Sequence, residues 1–212
     1  MTFNIVFIKS KRGFNKKERK KIEKIIKNTA NHAVKILNLG NNQRINFTVY
    51  PIDGKFSWGF TQSKDWIQLY VLKQKFNQDD LKGAVCHEMH HIVRNYTAFT
   101  KRKISFLDTL FSEGLAVVFE IEQVPQRIPP YSKYTNTFIK KWLPQLKKEK
   151  LWGDDFSHDE WFWGKKGKPY QLGYKIGTYL VDQIKKNCPK MTAVMLAKKN
   201  TKILLKLSKV DL

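Results

Sequence analysis

Residues 85–91 read Val85-Cys86-His87-Glu88-Met89-His90-His91, and they contain the pattern His-Glu-x-x-His from His87 to His91. Residues four apart on a helix lie on one face, so the two imidazoles can converge on a single ion. Glu88 is turned about 100° around the helix axis from His87, which places its carboxylate beside a water on that ion. The segment therefore predicts a helix that carries a zinc site with one position left open for water.

One alternative is a buried polar patch in which the histidines are held only by hydrogen bonds. His87 and His90 are also helical neighbours, but only the pair His87 and His91 places a glutamate beside the metal in the usual register. His90 is therefore interpreted as a residue behind the ligands or at the surface. The rest of the helix is apolar, as expected for one side facing a core: Leu81, Val85, Met89 and Ile92.

A third protein ligand is expected downstream, where the candidates are Glu113, Glu120, Glu122 and His158. Glu113 is favoured, because the small residues Gly114 and Ala116 beside it would let its helix pack closely against the histidine helix. Glu120 lies two turns further on a similar face and is the second choice. An acidic residue near a helix start is also favoured by the helix dipole alone, so the ligand assignment is a hypothesis.

The motif combination resembles a known family. His-Glu-x-x-His followed by Ser112-Glu113-Gly114-Leu115-Ala116 resembles the gluzincin-type metallopeptidases, and more closely the YjaZ-like family of predicted zinc-dependent proteases. Further similarities are the strand from Asp65 to Val71 and the stretch Gly173-Tyr174-Lys175-Ile176-Gly177. The likeness extends from about Ile45 to Leu207. It implies a zincin-like fold, one zinc per chain and a strand edge along the active-site cleft.

The same resemblance implies a further catalytic residue. Related aminopeptidases carry a Tyr-x-x-Gly tyrosine that donates a hydrogen bond to the oxyanion, and Tyr174 is at the matching position. Tyr170 also fits this pattern, and His158 is a third candidate, although it is expected in an exposed loop. One departure is Val117, where the thermolysin-like pattern has an aspartate. The residue that orients the ligands is therefore unassigned.

Apolar periodicity predicts an α+β fold, with strands and helices first and a helical half afterwards. We predict one domain, with a mixed lobe over 1–76 and a helical lobe over 77–212. The predicted strands cover 3–8, 45–51 and 66–72. The predicted helices cover 15–39, which stops at Gly40-Asn41-Asn42, then 77–95, 108–122, 133–148, 171–187 and 191–199. Asn77 or Asp79 should cap the second helix, and Asp108 the third.

The chain has a net charge of +22, yet only six of its 40 basic residues are arginine and all are widely spread. Specific recognition of bases and phosphates favours arginine, so the composition argues against nucleic-acid binding. A weak anionic partner on the basic surface stays open. The two cysteines, Cys86 and Cys188, are expected to be free thiols, Cys86 buried. Without a recognisable leader or membrane span, a cytoplasmic location is expected.

The resulting hypothesis is a zinc-dependent peptidase in which Glu88 activates the water on the metal. Strand 66–72 would hold an extended peptide or protein substrate at a sheet edge. An alternative from another class is a catalytically weak zincin-like protein that binds metal and regulates or binds a partner. A third is a hydrolase that is not a peptidase and acts on a cell-wall or nucleotide amide.

Overall fold

A computed structural model of the chain describes residues 1–10, 13–40 and 43–212. The four strands are β1 (Thr2–Phe7), β2 (Arg44–Ile52), β3 (Trp58–Ser63) and β4 (Trp66–Leu72). The helices are α1 (Lys16–Leu37), α2 (Gln78–Arg94), α3 (Phe106–Gln123), a 3-10 turn (Pro130–Ser132), α4 (Asn136–Leu146), α5 (His158–Trp163), α6 (Leu172–Asn187), α7 (Ala193–Ala197) and α8 (Thr201–Ser208). The predicted α+β class is confirmed, with one small sheet and eight α-helices in the described ranges.

The chain forms two compact units. The first contains residues 1–100 and 120–127, and the second contains residues 101–119 and 128–212. Helix α3 contributes residues to both units. The predicted lobes over 1–76 and 77–212 stay a prediction, because compactness alone does not define a domain.

In the first unit, the sheet has the strand order β1-β2-β4-β3. β1 and β2 are parallel, β2 and β4 are parallel, and β3 is antiparallel to β4. Alternate side chains of the two central strands are fully buried: Ile45, Phe47, Val49, Ile67, Leu69 and Val71. This period-two burial defines a single apolar face, and α1 connects β1 to β2 as a parallel crossover, which the sequence analysis did not predict.

The position of β4 corrects one prediction. Residues 66–72 were expected to form a sheet edge, but β4 pairs with β2 on one side and β3 on the other. Its backbone groups are therefore used within the sheet. The edges are β1 and β3, and β3 lies in a segment rich in glycine and aromatic residues where no strand was predicted. Gly59 lies in its middle and weakens the strand pattern.

Helix α1 begins with a complete capping box. Asn15 accepts a hydrogen bond from the Glu18 backbone N–H at 2.9 Å, and Glu18 accepts one from the Asn15 N–H at 2.7 Å. The helix ends at Leu37, two residues earlier than predicted, with Asn38 in the left-handed conformation at φ 49°. The stop signal predicted at Asn41 and Asn42 lies outside the described residues.

Helix α2 follows the prediction closely. The Asn77 side chain accepts a hydrogen bond from the Asp79 backbone N–H at 2.8 Å, so Asn77 rather than Asp79 is the cap. The helix ends at Asn95, another left-handed residue. α2 packs against α1 and β3, and this packing directs the histidine segment into the interior of the first unit.

In the second unit, α3 begins two residues before Asp108. Ser105 accepts a hydrogen bond from the Asp108 backbone N–H at 3.1 Å and caps the helix. Asp108 was predicted as the cap, but its carboxylate instead pairs with Arg102 at 2.6 Å and accepts a hydrogen bond from Thr201 at 2.8 Å. Helices α5 and α8 were not predicted as separate elements, because both are too short for a clear period.

Helices α3 and α6 meet at two glycines. A Cβ on Gly114 would collide with the backbone of Gly177, and a Cβ on Gly177 would lie 3.0 Å from the backbone N of Gly114. Gly114 was expected to let α3 approach the histidine helix, whereas it lets α3 approach α6. This contact fixes the part of α3 next to Glu113.

None of the helices in the described part of the chain combines the length and the apolar character that a membrane crossing requires.

Candidate metal centre

The two histidines of the motif lie on one face of α2, as their spacing predicts. The ring centroids of His87 and His91 are 4.7 Å apart, with the ring planes at 85°. Both side chains are buried, with 7% and 4% of their surface exposed. The ring of His91 also contacts the ring of Tyr96 at 4.9 Å. The imidazoles are therefore held by packing rather than displayed in solvent.

Glu113 on α3 completes a group of three potential ligands. His87, His91 and Glu113 offer ligand atoms that all lie within 4.8 Å of one another, and all three residues are buried. Two imidazoles and one carboxylate are the donor set of many catalytic zinc sites. The residues present therefore fit one zinc ion.

Glu88 is buried to the same degree, with 3% of its surface exposed. Thr61 on β3 donates a hydrogen bond to the Glu88 carboxylate, with 2.7 Å between Oγ1 and Oε2. The same hydroxyl oxygen lies 3.1 Å from the backbone carbonyl of Glu88. Across from it, Gly59 leaves no room for a side chain, because a Cβ there would collide with the Glu88 side chain. β3 thus fixes the Glu88 carboxylate from two positions.

The other downstream candidates have different surroundings. Glu120 is fully buried, and its Oε2 lies 3.4 Å from Nδ1 of His87. Its other oxygen pairs with Arg127. Glu120 therefore lies beside Nδ1 of the potential ligand His87 but is outside the group of three potential ligands. Glu122 is half-buried and also outside that group.

His158 departs from the prediction of an exposed loop. It is the first residue of α5, is half-buried and stacks on Phe162 with 4.4 Å between ring centroids. Burial lowers the pKa of His158, and the negative charges of Glu113 and Asp159 partly oppose that shift. At neutral pH the ring is therefore mainly neutral.

Tyr174 lies in the first turn of α6, where its ring is clamped between two others. The centroid of Phe162 is 5.2 Å away with the planes at 89°, and that of Tyr131 is 5.4 Å away. Gly173 makes this possible, because a Cβ there would collide with the Phe162 ring. Tyr170 is 55% exposed and contacts Trp163 at 6.0 Å. Of the two tyrosines, Tyr174 has the fixed orientation.

Two further residues of the motif are buried. Cys86 is 1% exposed, as predicted, and burial raises the pKa of its thiol to about 12. His90 is completely buried, so of its two interpretations the one as a surface residue is wrong, and the one as a residue behind the potential ligands stays a prediction. The four residues His87, Glu88, His90 and His91 of α2 are thus all buried in the first unit.

Thr61, which contacts Glu88, and Arg127, which pairs with Asp80 and Glu120, were not predicted as parts of the site. Thr61 is 27 residues from Glu88, and Arg127 is 47 residues from its partner Asp80. No local pattern connects positions so far apart. The one available signal was Gly59, since a glycine inside a strand often marks a close approach of another group.

A family model described as "Predicted Zn-dependent protease (DUF2268)" matches residues 14–205 of the chain. Neither the curated proteins nor the solved structures contain a match.

Proposed function

Because the chain belongs to this family of predicted Zn-dependent proteases, we propose that it is a zinc peptidase of the gluzincin type with one metal ion per chain. The observation that carries the proposal is the buried group of His87, His91 and Glu113, whose ligand atoms lie within 4.8 Å of one another. A zincin-like fold is part of the same proposal.

Zinc at this site would polarise the scissile carbonyl and make the attacking water more acidic. Glu88 then acts as the general base that takes the water proton, and afterwards as the acid that gives a proton to the leaving amine. The Thr61 hydroxyl, 2.7 Å from Oε2, keeps that oxygen oriented, and the other oxygen can face the substrate. Tyr174 donates its phenolic proton in a hydrogen bond to the developing oxyanion.

The substrate is proposed to be an extended peptide. It would pair with the side of β3 that faces away from β4, whereas the sequence analysis had expected it on residues 66–72, which are β4. β3 is an edge of the sheet, and Gly59 on it lies against Glu88. The backbone N–H groups of Ala98 and Phe99 donate to the carbonyls of Thr61 and Gln62 at 3.1 and 2.9 Å. A peptide aligned beyond these residues would meet the backbone of Gly59, and its scissile bond would lie near Glu88.

A peptide-library digest with cleavage sites read by mass spectrometry tests the proposal. We expect cleavage by the wild type and a loss of about 10²–10⁴ in kcat for Glu88→Gln, since glutamine cannot accept the proton. Glu88→Gln should keep its zinc, whereas Glu113→Gln should bind zinc more weakly. The matched control is Glu23→Gln on the exposed side of α1, where Glu23 pairs with solvent-exposed Lys27.

The result also separates the alternatives. Zinc binding without cleavage of any peptide would favour a metal-binding regulatory or partner-binding protein. Cleavage that survives Glu88→Gln would show that the general base has been assigned to the wrong residue.

A further inference from the structure

We propose that Glu120 is a positioning residue for His87: its buried carboxylate holds the imidazole so that Nε2 is presented to the metal. The inference rests on the proposed function, because it assigns a role behind the proposed zinc ligands. Its starting point is the distance of 3.4 Å between Glu120 Oε2 and His87 Nδ1.

The position of Glu120 on α3 explains how it reaches His87. Seven residues separate Glu113 from Glu120, which corresponds to about two helical turns and roughly 10.5 Å along the axis. Both carboxylates therefore lie on one side of α3. Glu113 is in the group of three potential ligands. Glu120 approaches Nδ1 of His87, which leaves Nε2 of that ring for the metal. Val117 stands where the thermolysin-like pattern has an aspartate, and Glu120 follows it by about one turn on α3.

The charge of Glu120 is balanced inside the protein. Its side chain is completely buried, and it forms an ion pair with Arg127, which is 7% exposed. Arg127 also donates a hydrogen bond from Nε to Asp80 Oδ1 at 2.7 Å. Gly83 provides the space, because a Cβ there would lie 2.7 Å from a guanidinium nitrogen of Arg127. Asp80, Gly83, His87, Glu120 and Arg127 all belong to the first unit.

This arrangement has a chemical consequence for His87. A neutral imidazole carries its proton on one of its two nitrogens, and a carboxylate near Nδ1 favours the tautomer protonated there. The lone pair is then on Nε2, the form that binds a metal. A carboxylate behind a ligating histidine also raises the basicity of the ring, and loss of such a partner typically weakens metal binding about 10–100-fold.

A purely structural role is the competing explanation, because the Glu120–Arg127 pair joins α3 to the segment that follows it. The test therefore measures zinc affinity and ligand geometry instead of activity. Zinc dissociation constants are determined by competition with a chromophoric chelator. The visible absorption spectrum of the cobalt-substituted protein reports the geometry at the metal.

Glu120→Gln should raise the zinc dissociation constant about 10–100-fold and change the cobalt spectrum. Because this variant leaves Arg127 with less compensating charge, a second variant replaces the pair together, Glu120→Leu with Arg127→Met. Exchange of a buried ion pair for apolar residues of similar volume is often neutral for stability, so this protein should fold. It should show the same loss of zinc affinity.

Asp80→Asn is the matched control, since it removes the other partner of Arg127 without touching His87. It should lower stability and leave the zinc affinity and the cobalt spectrum as in the wild type. A wild-type affinity and spectrum in the double variant would overturn the role of Glu120. If the wild type binds zinc tightly but hydrolyses no peptide, the proposed function fails while these affinities still decide the inference. A wild type that binds no zinc would overturn both.

Discussion

Two helices of the first unit are built on opposite principles. Along its 22 residues α1 buries only apolar side chains, among them Ile22, Ile26 and Leu37, and its lysines face the solvent. Along its 17 residues α2 buries His87, Glu88, His90 and His91 in addition to an apolar set. α1 is explained by the hydrophobic effect. α2 buries groups that burial disfavours unless they have partners, and two of them, His87 and His91, belong to the candidate metal site.

The strongest test of the comparison is to exchange one residue in each helix. His91→Ala should reduce the zinc content from one per chain to near zero, because a proposed ligand is lost. Ile26→Ala should lower the free energy of unfolding by about 2–5 kcal/mol, since it leaves a cavity in a fully buried position. Elemental analysis and urea unfolding measure the two effects. Full zinc content in His91→Ala would remove the distinction between the helices.

His90→Ala sharpens the same comparison inside α2. His90 is buried but outside the group of three potential ligands. His90→Ala should keep the zinc and lower the free energy of unfolding, as the replacement of a core residue of α1 would.

The second prediction asks whether the chemistry extends beyond α2. Tyr174→Phe keeps the ring contacts with Phe162 and Tyr131 and removes only the hydroxyl. We expect kcat to fall about 10²–10³-fold with little change in KM and in zinc content. Tyr170→Phe is the control, because Tyr170 is 55% exposed. Near-normal activity in Tyr174→Phe combined with a defect in Tyr170→Phe or His158→Ala would reassign the oxyanion donor.

A third prediction concerns the strand that faces Glu88. In Gly59→Ala the new methyl group would displace the Glu88 carboxylate. A misplacement of about 1 Å can cost about 10² in rate, so kcat should fall by up to that factor while zinc is retained. At Gly54 the nearest atom to an added Cβ is 3.7 Å away, an ordinary contact. Gly54→Ala should therefore have near-normal kcat, and equal effects at both glycines would argue against the contact.

The smallest expected effect involves a polar pair outside the site, in the second unit. Tyr134 donates a hydrogen bond to Asp182 at 2.6 Å. Burial raises the pKa of Asp182 above its usual 3.8, while the bond from Tyr134 opposes this shift. The folded protein therefore holds the proton more tightly than the unfolded chain. The free energy of unfolding should fall as pH rises from 3.8 through the raised pKa.

Asp182→Asn removes the titrating group and should flatten this part of the stability profile, measured by urea unfolding from about pH 4 to pH 7. A profile unchanged from the wild type would mean that Asp182 is not responsible for the pH dependence.

Much of the fold could be predicted, because α1, α2 and β2 have long periodic patterns and the two helices have clear caps. β3 was missed because Gly59 and the alternating aromatic residues resemble a loop. The edge was assigned to residues 66–72 through the family resemblance, and the pairing partners of a strand are not encoded in one segment. A cytoplasmic location and an anionic partner for the basic surface stay predictions.

The sequence by itself determined the relation of His87, Glu88 and His91, because helix geometry sets the direction of side chains on consecutive turns. Through the family motif, it also indicated Glu113 as the third potential ligand. Only the tertiary structure decided that Thr61 and Gly59 hold Glu88 and that Glu120 with Arg127 lies behind His87. These contacts join residues far apart in the chain, so they depend on how strands pair and helices pack, which no local spacing specifies.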